Sequence, residues 1–299
     1  MNINHYYSQQ SVMTHPGHHQ HWFNELPNDP ASLCEITRGV VKHFLDVEPF
    51  NRIPPITRLF ELDLRYVDKM IEQLLKLNQQ QLKDINTKIM GSCRDFSLLV
   101  CAMLRHKKIP ARLRFGFSTF HIPGFHHDQV LVEYWDATQN KWCLADPRIN
   151  QEFIKKYKLD HGTHSHDIPR DVFMTGGQAW QLCRSKEKNA NQFGTGLKNR
   201  FTGWTYIRNK LIQDLAALNK MELLSWDCWG IMLEDRSDDF MNHLERVELL
   251  DYIAALTASL EIDIEKINTV YRDDGLRVPP IIFSDSIISG AKYVELRMP

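Results

Sequence analysis

Gly91 to Asp95 reads GSCRD and runs into the apolar stretch FSLLVCAML. Ser92 is a good helix N-cap, and Asp95 three residues later completes a capping-box-like pattern. Phe96, Leu99, Val100, Met103 and Leu104 then recur at helical spacing, which predicts a helix over 92–106 with Cys93 in its first turn. There the unpaired backbone N–H groups and the macrodipole favour thiolate over thiol. The same N–H groups could hydrogen-bond an oxyanion forming on an acyl group attached to the sulfur. Cys93 is therefore a candidate nucleophile. Cys101, deeper in the same helix, is read as a buried structural cysteine.

A thiol nucleophile wants a general base and a group to orient that base. Asp146 closes the run WCLADP, where Pro147 stops a strand. A carboxylate at a strand end can hold an imidazole in its productive tautomer. An Asp before Pro is also an ordinary turn residue, so alone it says little.

These residues need elements to position them. Three runs have strand character: 111–120, 128–136 and 141–146. Pro123-Gly124 and Asn140 supply turn chemistry between them. A helix followed by consecutive antiparallel strands indicates an α+β layer. Helical spacing is also read over 31–48, 60–88, 205–221 and 244–271, with Asp171 a possible cap for a further helix. The tail after Gly275 reads as extended chain. The expected division is an irregular N-terminal arm (1–30), a core (31–165) and a helical C-terminal extension packed on it (166–299).

The runs GSCRD, MLRHKKIPARLRFGF, VLVEYWD and KWCLADP, in that order, resemble the transglutaminase-like superfamily. More narrowly they resemble bacterial transglutaminase-like domain proteins, in which G-x-C-R is followed by L-R-x-x-G-I-P-A-R and D-H-W-x-x-E-Y-W. The likeness continues through PRDVF (169–173), GQAW (177–180), DLAALNKME (214–222) and WDCWG (226–230), over roughly residues 12 to 280. Four motifs in order are far more specific than any one. The resemblance implies a transglutaminase-like (papain-like) core, a helix packed on an antiparallel sheet. It implies Cys on a helix N-terminus, His at a strand start and Asp on the next strand, and cysteine-dependent acyl transfer or hydrolysis on an amide.

One position departs from that pattern. Registering VLVEYWD on the motif puts the histidine position at Gln129, within His126-His127-Asp128-Gln129-Val130. Glutamine cannot accept a proton near pH 7, so it is no general base. His127 shares its strand face if the strand extends that far, ~6.6 Å along the chain. His126 points the other way. The chain is thus either an amidase, peptidase or transglutaminase-type enzyme using Cys93, His127 and Asp146, or a catalytically impaired relative that binds a peptide or protein. Gln129 is the feature that favours the second.

Histidine clusters at His15, His18, His19 and His21, and at His161, His164 and His166, are read as polar loops rather than metal sites. Trp180, Trp204, Trp226 and Trp229 are expected to fill the helical half, and Arg94 and Arg112 are weighed as substrate-charge contacts. The chain has 299 residues, 43% hydrophobic and 24% charged, which is ordinary globular usage. A net charge of -1 gives no bulk case for nucleic acid or an anionic membrane. No signal peptide or spanning segment is read, and six cysteines without CxxC pairs suit reduced thiols in a cytoplasm. No cofactor is expected, and the expected partner is a peptide, protein or other amide.

Overall fold

Ser92 and Asp95 begin the central helix as their spacing predicts: the Asp95 carboxylate accepts from both the Ser92 N–H (2.7 Å) and its hydroxyl (3.0 Å). The computed structural model describes residues 2–46, 56–79, 87–160, 162–196, 201–234, 237–286 and 289–299. Along the chain come α1 (Ile3–Tyr7), α2 (His21–Asn24), α3 (Pro30–Val40), β1 (Val41–His43), α4 (Val67–Gln79) and β2 (Ile89–Gly91). Then come α5 (Cys93–His106), β3 (Ala111–Ile122), β4 (Phe125–Asp136), β5 (Lys141–Ala145) and α6 (Gln151–Tyr157). The rest comprises β6 (Phe173–Thr175), α7 (Gly176–Arg184), β7 (Phe193–Gly194), α8 (Trp204–Leu218), β8 (Asp227–Cys228) and α9 (Ile231–Glu234). It ends with α10 (Leu244–Ala258), α11 (Ile264–Val270), β9 (Ile281–Ser286) and β10 (Gly290–Glu295).

The main sheet runs β5-β4-β3-β6, antiparallel throughout, with β7 added parallel to β4. Its register sets Gly116 opposite Gln129 and Val132 opposite Ala145. The hairpin turns at Gly124 (φ +73°), and Asn140 (φ +51°) turns β4 into β5. α5 packs on β3 and β4, and α8 on β3. Phe115, Phe117, Val130 and Val132 join the large core with the helices; Leu131 and Leu144 join a second core with Phe153, Ile154, Ile168 and Phe173. Alternation along β4 separates these two sets.

The fold is mixed helix and antiparallel sheet, and several boundaries differ from expectation. The helix expected over 31–48 stops at Val40, and Val41–His43 pairs in parallel with Ile89–Gly91. β-branched Val40 and Val41, following Gly39, lower the helical preference just where a strand partner exists. The 60–88 expectation divides into a 3-10 stretch (Ile56–Asp63) and α4; its residues 80–86 lie outside those described. The 244–271 expectation breaks into α10 and α11, because the Asp263 side chain accepts from the Glu265 and Lys266 N–H groups and starts a new helix. Thr175, not Asp171, caps α7, in a reciprocal pair with Gln178.

Two parts of the expected division also look different. The N-terminal arm holds α1 and α2 and is tied inward: the Tyr7 hydroxyl donates to the Leu218 carbonyl (3.0 Å), and Ser11 to Glu222 (2.8 Å). The segment expected as a helical extension gives β6 and β7 to the main sheet and forms its own sheet, β10-β9-β8. The extended reading after Gly275 falls on the β9–β10 hairpin. Among the described residues, no helix is long and apolar enough to cross a membrane.

Candidate functional site

Cys93 is the first residue of α5 and 9% exposed, on the wall of a cavity of about 700 Å³. That volume is in the range of small-ligand pockets. The Ser97 hydroxyl, one turn further along α5, donates to the Val130 carbonyl at 2.9 Å and ties this end of the helix to β4. Gln129 (1% exposed) lines the same cavity, and its Nε2 donates to Asp146 Oδ2 at 2.7 Å. Asp146 (1% exposed) follows β5 directly, and its Oδ1 accepts the Arg148 N–H at 2.9 Å. Cys93 and Gln129 therefore share the cavity wall, and Gln129 is tied to the carboxylate at the end of the neighbouring strand.

His127 also lines the cavity, and its Nδ1 lies 2.8 Å from the Asp128 carbonyl. A carbonyl only accepts, so Nδ1 carries the proton and Nε2 keeps the lone pair. The Asp146 carboxylate that would orient an imidazole is already engaged by Gln129. His126 turns elsewhere and stacks on Phe193, with ring centroids 4.3 Å apart.

The helix end does not leave Cys93 as a thiolate. Burial, reinforced by the Asp128 carboxylate, pushes its thiol up to about 12, against the opposing pull of Arg148 and Lys210. The expectation of a lowered thiol pKa is corrected here. A macrodipole contribution of at most ~2 kcal/mol is too small against desolvation of a nearly enclosed thiolate. Asp128 itself pairs with Lys210 (2.8 Å) and accepts from the Tyr206 hydroxyl (2.7 Å).

Sequence reading missed two cavity histidines. His43, at the end of β1, lies opposite Gly91 in the register that leads into Ser92 and Cys93. Burial holds its pKa well below 6.5, helped by Arg148, His121 and His127. His121 is lowered to about 2, by burial first and then by Arg148, His127 and Lys156. Both rings are neutral at pH 7. No local pattern announces either one; the resemblance carries no motif at 43 or 121.

Other expectations resolve plainly. Trp180 and Trp229 are buried, but Trp226 lines the cavity together with Phe44, Tyr157 and Phe283. Arg94 is sealed in the core, donating to the Glu222 and Arg65 carbonyls and pairing with Asp95. Arg112 is equally sealed, paired with Glu133 under the Trp142 ring. Neither touches the cavity, so the substrate-contact reading of both is withdrawn. His164 and His166 stack on each other, and His161 lies outside the described residues. Among the described residues no group of three or more His, Cys, Asp or Glu is placed to hold a metal ion.

Residues 65–147 match the family model for the Transglutaminase-like superfamily. No curated protein matches the sequence. Among solved structures, the crystal structure of a "putative cysteine protease" from Cytophaga hutchinsonii matches with a TM-score of 0.32 and 15% identity. The match covers 57% of this chain and 44% of that one, so this chain spans less than half of its length. The matched segment begins before α4 and ends just after β5, and so takes in Cys93, His127, Gln129 and Asp146. Residues 65–147 are thus similar to the transglutaminase-like superfamily and lie within a fold of mixed helix and antiparallel sheet.

Proposed function

We propose that the cavity beside Cys93 binds a peptide or another amide-bearing ligand, in a transglutaminase-like core that has lost efficient acyl transfer. The observation that carries this is the Gln129 Nε2–Asp146 Oδ2 hydrogen bond at 2.7 Å. An amide in that place donates to the carboxylate as an imidazole would, but has no basic nitrogen to take the thiol proton. The thiol pushed up to about 12 agrees, because its burial disfavours the thiolate that attack on a carbonyl needs. The cavity's size and its aromatic wall suit retention of a ligand without bond-making.

A second reading keeps catalysis: Cys93 attacks an amide carbonyl and His127 serves as base. The unprotonated Nε2 of His127, on the same cavity wall, is what favours it.

Alkylation by iodoacetamide separates the two, followed by mass spectrometry of the Cys93 peptide. For the binding reading the rate is low at pH 7 and climbs steadily above about pH 8 without a plateau. His127→Ala leaves that profile unchanged, and Gln129→His raises the pH 7 rate by about tenfold or more. Fast labelling at pH 7 that titrates near or below neutrality, and is lost in His127→Ala, would overturn the binding reading in favour of acyl transfer.

A further inference from the structure

We propose that the His43 Nε2–H is the hydrogen-bond donor for the carbonyl oxygen of a ligand held at Cys93. This rests on the reading of the cavity as a site for amide-bearing ligands, and names the group that recognises the amide.

The donor state of His43 follows from its partners. Its Nδ1 lies 3.2 Å from the Leu45 backbone nitrogen, whose N–H can only donate. Nδ1 is therefore the unprotonated acceptor, and the neutral ring carries its proton on Nε2. That Nε2–H has no hydrogen-bond partner among the described residues, while the ring (5% exposed) lines the cavity. A ligand acceptor entering the cavity would give that N–H a partner.

His43 also stands in the right place and is held there. Its register partner Gly91 is two residues before Cys93, so β1 ends beside the entry to α5. Phe44 stacks on the ring at 5.1 Å, and Phe96, in the first turn of α5, lies 6.4 Å away. A carbonyl oxygen at the sulfur would thus meet an imidazole N–H on one side and the first-turn N–H groups of α5 on the other. The other cavity histidines are differently disposed. His127 holds Nδ1 at the Asp128 carbonyl, and His121 commits Nδ1 to the Ser118 hydroxyl at 2.6 Å. Protonation does not confuse the assignment near pH 7. The groups facing His43 are Arg148, His121, His127 and Lys42, and burial with their charges keeps the ring neutral.

The test uses an adduct rather than turnover. Cys93 is alkylated at high pH with iodoacetamide carrying ¹³C at its carbonyl; sulfur displaces iodide and the thiol proton goes to solvent. The carbonyl band is read by isotope-edited infrared difference spectroscopy, with equally treated Cys93→Ser as the blank for the other cysteines. The expected result is a carbonyl stretch displaced to lower frequency in the wild type. The shift is lost in His43→Phe and kept in His43→Gln, whose amide also donates. The same frequency in wild type and His43→Phe overturns the proposal. Should His43→Phe not fold, ¹⁵N-histidine labelling of the wild type gives the answer. The His43 Nε2–H resonance must move on adduct formation, and an unmoved resonance overturns the assignment. Because the shift is read after the bond is formed, it is independent of the pH profile that tests the binding reading.

Discussion

Gln129 and Asp146 form a buried pair in which each satisfies the other, and that reciprocity sets the cost of disturbing them. Gln129 Nε2 has Asp146 Oδ2 as its acceptor, while Asp146 keeps Oδ1 for the Arg148 N–H. Asp146→Ala leaves the amide donor and the Arg148 N–H unmet, and should lower the unfolding free energy by about 1–3 kcal/mol for the amide alone. Asp146→Asn retains carbonyl acceptor capacity and should lose less. Urea denaturation of both variants checks this, and equal losses would mean the pair does not hold the strand ends together. The residue roles were legible unevenly. Cys93, Gln129 and Asp146 sit in motifs whose order along the chain singles them out as candidates. His43 could not be singled out, because its approach to Gly91 spans 48 positions of chain and follows from strand pairing alone.

At the scale of elements, α5 joins a cavity end to a turn that the sequence fills with an unusual residue. The Ile109 N–H donates to the Leu104 carbonyl (2.9 Å) and the Lys108 N–H to that of Arg105 (3.0 Å), the paired bonds of a Schellman ending. Lys108 takes φ +62°, at the place where the resembling motif L-R-x-x-G-I-P-A-R has glycine. A side chain in the left-handed region costs about 1–2 kcal/mol, partly offset by the greater unfolded-state freedom of glycine. Lys108→Gly should therefore raise stability by about 0.5–1 kcal/mol, read as a higher denaturation midpoint at unchanged m-value. Gly116 is the opposite case. A Cβ there would collide with the Met174 carbonyl across β3–β6, so Gly116→Ala should cost several kcal/mol, on the order of the 1–3 kcal/mol of overpacking or more. Boundaries were legible where caps are local, as at Ser92. They were misread where pairing intervened, as at Val41–His43.

Over the whole molecule, buried ion pairs tie the core sheet to the segments around it. Glu133 meets Arg112 (2.7 Å), Arg114 (3.3 Å) and Arg170 (2.7 Å), and Arg114 also meets Asp214 of α8 (2.9 Å). Burial alone would raise the Glu133 pKa, but the three guanidiniums override it and lower it from 4.5 to about 2. The unfolded chain then takes up this proton first. The contribution is present above about pH 4.5 and is lost as pH falls toward about 2. His43 and His121 act earlier and in the same direction. Both are lowered from 6.5, so unfolding gains protons as soon as pH drops below that value. Stability should decline from pH 6.5 and fall further below 4.5. Glu133→Gln should cost about 3–5 kcal/mol at pH 7, with the gap to wild type narrowing below pH 4.5. His121→Gln should flatten the decline between pH 6.5 and 4.5. Urea titrations at several pH values check both, and a gap that stays constant with pH would contradict the Glu133 assignment.

By itself, the sequence determined the helix that carries Cys93 and the three strands after it. Those follow from capping, periodicity and motif order, which are local along the chain. Only the tertiary structure decided the protonation of Cys93, the Gln129–Asp146 bond and the presence of His43 and Trp226 in the cavity wall. Desolvation and cross-strand neighbours set these properties, and both depend on what the rest of the chain packs around a residue rather than on the residues beside it.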